Sequence, residues 1–228
     1  MVMDIDIYLD GADLSAMATH ADNVAGFTTN PSLARKAGIT NYREFARTAI
    51  AIAGKKPISL EVFADDFAGM ERQAREIASW GANVYVKIPI TNTAGESSIP
   101  LIEKLADARI HLNITAILTH EQIKAATRAV EETQAIISVF AGRIADTGRD
   151  PVKTMRYAAN IARSGWTKVL WASTREVYNV VQADEIGCDI ITCSPDILAK
   201  LGGLGRDLGA VSLDTVKQFY ADGKGFSI

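Results

Sequence analysis

Residues 83–90 read NVYVKIPI, an apolar, β-branched run with a lysine, Lys87, in its middle. Apart from that lysine the run has the continuous apolar character of a strand covered on both faces, as in a parallel sheet flanked by helices. Working outward, runs of the same kind recur as IDIYLD at 5–10, VAGFTT at 24–29, PISLEVF at 57–63, RIHLNITAI at 109–117, AIISVFAG at 135–142, KVLWAS at 168–173 and CDIITCS at 188–194. Stretches with helical spacing separate many of them, at 66–80, 96–105, 120–132, 151–163 and 175–183, several closing on a glycine such as Gly81, Gly165 or Gly187. Eight strand–helix units in a chain of 228 residues predict a fold of the α/β class, a (β/α)8 TIM barrel, because closure leaves no strand edge exposed. An open doubly wound sheet is the alternative. A last helix, about 213–221, comes after the eighth unit and a glycine-rich linker, so it packs outside the barrel or on a neighbouring subunit. Residues 1–228 read as a single domain, and a homo-oligomer is expected.

About half of the side chains are apolar, 48%, enough for a buried core in one domain of this length. A net charge of −3 with lysines and arginines scattered along the chain offers no basic block for a nucleic-acid partner. The opening MVMDIDIYLD is acidic where a secretion signal is basic, and no run approaches the length needed to cross a bilayer, so no membrane is expected and a cytoplasmic location is. Cys188 and Cys193, the only cysteines, are expected as buried reduced thiols. His20, His111 and His120 are far apart and no metal-ligand spacing occurs, so neither a metal nor a cofactor is expected. The segment LGGLGRDLG lacks the spacing and the preceding strand of a dinucleotide cradle and reads as a loop.

Barrel enzymes place their chemistry at the carboxyl ends of the strands. The first run here ends in Asp10, the second in Thr28, Thr29 and Asn30, and the third and fourth hold Glu61 and Lys87. The fifth holds Asn113 and Thr115, the sixth Ser138 followed by Arg143, the seventh Ser173 with Arg175, and the eighth Thr192 with Ser194. Asp4 and Asp6 share a strand face with Asp10 but lie toward the amino end, where a salt bridge or water accounts for them. One or two polar strand ends are loop punctuation; so many converging on one end carry a desolvation cost that points to a site. Burial of a lysine disfavours its ammonium form and leaves part of it as the neutral amine, the nucleophile that attacks a ketone. The resulting iminium is an electron sink, and a carbon–carbon bond one carbon further on then breaks without a metal. Arg143 and Arg175 each follow a strand, and two guanidiniums flanking one site suit a phosphate dianion. For either arginine by itself, an ion pair with Asp146 or Glu176 is the alternative.

With TTNPS at 28–32, VKIP around Lys87, NIT at 113–115, SVFAGRI at 138–144, ASTR at 172–175 and TCSP at 192–195 all in order after IYLD, the chain resembles the transaldolase family. Its length resembles the branch of small transaldolases and fructose-6-phosphate aldolases. The resemblance implies Lys87 as the Schiff-base lysine, Asp10 as the acid/base at the C4 hydroxyl, and Glu61 as partner of a catalytic water near Thr115. It implies that Asn30, Asn113 and Ser138 hold the dihydroxyacetone portion, and Thr28 is expected among the substrate-binding residues. Arg143, Ser173 and Arg175 would bind the distal phosphate, with Phe140 an apolar wall. The expected substrates are sugar phosphates, and the setting is carbohydrate metabolism of the pentose phosphate kind. Glu61 and Phe140 stand where members that only cleave carry glutamine and tyrosine, which favours transfer. A lyase releasing dihydroxyacetone, a specialised biosynthetic transaldolase and a non-catalytic phosphosugar-binding barrel remain alternatives. Val139 stands where proline is common, and Trp171 replaces a residue that is usually small, as a packing aromatic or as a change in the sugars accepted.

Overall fold

The computed structural model describes residues 3–163 and 166–227; Gly165, expected to close a helix, lies outside them. Eight parallel strands pair in chain order: β1 Asp6–Asp10, β2 Gly26–Thr28, β3 Ile58–Glu61, β4 Val84–Pro89, β5 Leu112–Ile117, β6 Ala135–Val139, β7 Thr167–Trp171 and β8 Ile190–Cys193. Strand β8 pairs back onto β1, with Tyr8 opposite Thr192, so the barrel is closed and the open sheet is excluded. The helices are α1 Leu14–His20, α2 Pro31–Lys36, α3 Tyr42–Ala53, α4 Phe67–Ala78, α5 Ile99–Asp107, α6 His120–Ala129, α7 Ala141–Ala145, α8 Pro151–Ala162, α9 Tyr178–Glu185, α10 Pro195–Lys200 and α11 Leu208–Asp222.

Three helix starts lie three or more residues from those read off the periodicity, and in each a side chain close by in sequence explains it. Helix α5 starts at Ile99 and not at 96, because Asn92 Oδ1 accepts from the main-chain N–H groups of Ala94 and Glu96 and holds that stretch as a turn. Helix α9 starts at Tyr178 and not at 175, because Asn179 Oδ1 takes the N–H groups of Arg175 and Glu176. Helix α11 begins five residues before 213, since Asp207 caps it by accepting from Ala210 N at 2.9 Å; the end of the glycine-rich segment is therefore helical. Gly187, at φ 73°, does close its helix, its N–H returning to Asp184 O at 2.9 Å.

Side chains alternate between the two faces of each strand, and the alternation places the site. On β4, Val84, Val86 and Ile88 join the large apolar cluster between barrel and helices, while Tyr85 belongs to the smaller cluster inside the barrel. Lys87 shares the inward face of Tyr85. On β7, Leu170 and Ala172 point inward, and Trp171 packs outward at 1% exposure. Trp171 is thus a packing aromatic and does not reach the barrel mouth. The Tyr8 ring plugs the barrel interior against Gly26, where a Cβ would lie 2.5 Å from the ring. Asp6 forms the expected salt bridge, to Lys168 at 3.0 Å. Both cysteines are buried free thiols, and burial pushes each up to about 12.

Candidate active site

At the carboxyl end of the barrel a cavity of about 170 Å³ is lined by Asp10, Thr28, Asn30, Lys87, Ser138, Phe140, Arg143, Ser173 and Arg175, together with Leu170, Ala172, Thr174, Thr192 and Ser194. Wider grooves exist, such as one of about 250 Å³ at the amino ends of β5 to β7 lined by Arg109, His111 and Trp166, but they hold none of the strand-end groups. Cross-strand register builds the cavity: Asp10 pairs with Thr28, Glu61 with Lys87, and Lys87 with Asn113. These residues, distant in sequence, therefore stand side by side on one ring of the barrel.

Lys87 is 5% exposed. Its Nζ donates to the Thr29 carbonyl at 2.9 Å and lies 3.4 Å from Glu61 Oε2. Burial raises Glu61 above the usual carboxylate range; the charge and hydrogen bond of Lys87 oppose that shift, and the nearby charge of Asp10 adds to it. Asp10 is likewise raised by burial, against the charge of Lys87 and a 2.8 Å hydrogen bond donated by Thr28. The outcome is a buried nitrogen surrounded by acceptors, with two carboxyl groups that hold protons more readily than exposed ones do.

Asn113 and Thr115 are buried beside the cavity without lining it. The Asn113 amide donates to Ser59 Oγ at 2.9 Å and accepts from Ser138 Oγ at 2.6 Å, which fixes its orientation. Thr115 Oγ1 is buried with no hydrogen-bond partner among the described residues. A buried hydroxyl in that state is available to a water or a substrate oxygen. Strand β5 slips register against β6 between Ile114 and Ile117, with Ala116 at φ 60°, so the ladder is interrupted around Thr115 before Ile117 pairs with Val139. Asn30 also caps α2, its Oδ1 accepting from Leu33 N at 3.0 Å.

Across the cavity, the Arg143 guanidinium sits 5.2 Å above the Phe140 ring. Arg175 Nε lies 3.1 Å from Asp146 Oδ1, and its Nη2 meets the second oxygen. Of the two partners open to Arg175 in the sequence, Asp146 is the one it takes. The arginine nevertheless lines the cavity. Thr192, a strand-end group in the sequence, lines the cavity from β8, while Thr174 and Ser59 were not singled out. Ser59 lies two residues before Glu61 on the same strand face, so period-two alternation was the signal that could have found it. Among the described residues, no group of three or more His, Cys, Asp or Glu side chains is placed to hold a metal ion.

A profile of the family described as Transaldolase/Fructose-6-phosphate aldolase matches residues 7–225. The chain belongs to this family. A probable transaldolase of Roseiflexus sp. (strain RS-1) is 36% identical over 198 residues, spanning 85% of this chain and 88% of that protein. A probable transaldolase of Dehalococcoides mccartyi is 32% identical over 199 residues, spanning 86% and 89%. Among solved structures, the tryptophan synthase A-subunit of Pyrococcus furiosus superposes with a TM-score of 0.59 at 14% identity, over 91% of this chain and 94% of that one. At that identity the likeness speaks to the barrel alone. Membership in the transaldolase/fructose-6-phosphate aldolase family makes the chain an enzyme.

Proposed function

We propose that this chain is a transaldolase acting through a Schiff base on Lys87. One observation carries the reading: the Lys87 nitrogen is buried inside the barrel, 3.4 Å from Glu61, in the same cavity as Asp10. The neutral amine adds to the C2 carbonyl of a ketose phosphate, fructose 6-phosphate or sedoheptulose 7-phosphate, giving a carbinolamine. Loss of water, with Glu61 handling the proton and Thr115 Oγ1 holding the water, gives the iminium. Asp10 then takes the C4 hydroxyl proton, the C3–C4 bond breaks, its electron pair enters the iminium, and an aldose phosphate leaves. The enamine left on Lys87 adds to the aldehyde of an incoming aldose phosphate, Asp10 returns the proton to the new hydroxyl, and water adds back to the resulting iminium, releasing the new ketose phosphate and the free Lys87 amine. Thr28, Asn30, Asn113 and Ser138 hold the three-carbon unit or the groups around it. Arg143, Ser173 and Arg175 hold the distal phosphate, and Phe140 walls the reacting carbons. No metal or cofactor is invoked.

Borohydride added with donor should leave a stable three-carbon mass on Lys87, and Lys87→Ala should bind sugar phosphate without turnover. A Lys87→Ala protein that keeps turning over sinks the mechanism. Fructose 6-phosphate with erythrose 4-phosphate should yield sedoheptulose 7-phosphate and little free dihydroxyacetone; abundant dihydroxyacetone would make the chain a lyase instead.

The reading extends to the whole chain, residues 1–228, as one domain, and to sugar-phosphate metabolism of the pentose phosphate kind in the cytoplasm. No helix among the described residues is long and apolar enough to cross a membrane. Every residue of α11 is exposed, including Phe219 at 67% and Tyr220 at 72%. So large an apolar surface on one helix supports a homo-oligomer in which a second copy covers it. Sedimentation should show an assembly that Val216→Glu with Phe219→Glu dissociates; a wild-type monomer rejects this assignment.

A further inference from the structure

Thr192 stands in β8 opposite Tyr8 of β1 and is 4% exposed. Its hydroxyl oxygen lies 2.6 Å from that of Thr28, and Thr28 donates to Asp10 Oδ1 at 2.8 Å. The hydrogens fix the direction of this chain. A threonine hydroxyl carries one hydrogen and two lone pairs, and an ionised carboxylate only accepts. The single hydrogen of Thr28 is spent on Asp10, so the contact between the threonines is made with the hydrogen of Thr192. The main-chain carbonyl of Thr192 in turn accepts from Thr174 Oγ1 at 2.6 Å, which ties β8 to the segment after β7 at this point.

We propose that Thr192 is a positioning residue for the proton transfer at Asp10: it donates to Thr28 and so strengthens and aims the hydrogen bond that Thr28 makes to the ionised carboxylate. The inference rests on the assignment of Asp10 as the base and adds the eighth strand to it. Hydrogen bonds in a chain polarise one another, and in a low-dielectric interior that effect is not diluted by water. Asp10 needs such support because burial works against its charge. The other groups that act on it are the Lys87 ammonium from β4, which favours the carboxylate, Glu61 from β3, which opposes it, and the Cys193 thiol from β8, which stays protonated. Thr28 gives the one hydrogen bond to the Asp10 carboxylate among the described residues, and Thr192 is the partner that saturates Thr28. Without Thr192, a buried lone pair on Thr28 goes unmatched and its rotamer loses one of two anchors.

The test is an infrared difference titration of the full-length protein, with the Asp10 band identified by its loss in Asp10→Asn. Thr28→Val should move the Asp10 midpoint up by about one pH unit, the scale of one hydrogen bond to a charged group. Thr192→Val should move it up by about half as much, and Thr192→Ser, which keeps the hydroxyl, should leave it in place. Because Thr192 acts only through Thr28, the double variant should match Thr28→Val alone. An unmoved midpoint in Thr192→Val, or a double variant in which the two shifts add, overturns the proposal. Should Thr192→Val fail to fold, Thr192→Cys substitutes a weak S–H donor, and the same criterion applies to it. The acid limb of kcat/KM should follow the midpoint through the series. A midpoint that moves while the limb stays put upholds the hydroxyl chain and overturns Asp10 as the base, so the two failures are distinguishable.

Discussion

Replacing Gly142 by alanine should disable the phosphate end of the cavity while sparing the lysine. Gly142 lies in α7, directly after β6, where the chain passes close to the carbonyl of Ser173. A Cβ built on Gly142 would sit 1.6 Å from Ser173 O and 2.8 Å from Ser173 C, whereas ordinary contact begins near 3.4 Å. The backbone at Ser173 must therefore retreat by about 1.8 Å, the gap between those two distances. It cannot do so freely, because Ser173 already holds φ at 65° and its neighbour Ala172 is tied to Val139 O by a 2.9 Å hydrogen bond. Arg143 follows Gly142 directly and Arg175 lies two residues beyond Ser173, so the displacement shifts both guanidiniums relative to each other. A misplacement of roughly 1 Å costs on the order of 10²-fold in rate, and kcat/KM for fructose 6-phosphate should fall by at least about that factor. Overpacking of this kind should also cost about 1–3 kcal/mol of stability, visible as a lower Tm. Lys87 stands on β4, across the barrel, so borohydride trapping of unphosphorylated dihydroxyacetone on the same variant should stay within about tenfold of wild type. A Gly142→Ala protein with wild-type kcat/KM and Tm refutes the packing. Equal losses for the phosphorylated and unphosphorylated donors refute the assignment of this wall to phosphate.

Three further outcomes follow from the charges. Burial raises both Asp10 and Glu61, so the acid limb of kcat/KM should lie above the ordinary carboxylate range near 4, and a limb at or below that range contradicts the burial argument. The same shifts set a stability trend: a carboxyl raised in the folded state keeps its proton after the unfolded chain has lost it, so this pair's contribution should decline as pH climbs from the unfolded value through the raised ones, and Asp10→Asn should flatten that slope in pH-dependent melting. In Asp146→Asn the Arg175 fork loses its internal carboxylate, which Arg175 holds below the usual carboxylate range, and KM for the phosphorylated donor should drop by roughly two- to fivefold, the scale of an exposed ion pair. A rise in KM would mean that Asp146 orients Arg175 and does not compete for it.

Much of this was legible in the residues. Apolar runs broken by one inward polar position, as in VYVKIPI, reveal both the strand and its site-bearing face, because side chains alternate at period two whatever the neighbours are. Helix starts were less legible where Asn92 and Asn179 capture main-chain N–H groups, since such short-range hydrogen bonds override the apolar period. The orientation of Trp171 was open in the sequence, and its position on the outward face of β7 decides it for packing.

By itself the sequence determined the alternation of strands and helices, the polar group at each strand end, and the family those motifs belong to. Tertiary structure decided which of these groups meet. Closure of β8 onto β1 puts Thr192 within 2.6 Å of Thr28 across 164 residues of chain. The same closure aims Lys87 at Thr29 and Glu61, settles Arg175 on Asp146, and links Asn113 to Ser59 and Ser138. Those contacts depend on register and packing between segments far apart in the chain, and local propensity carries no information about such partners.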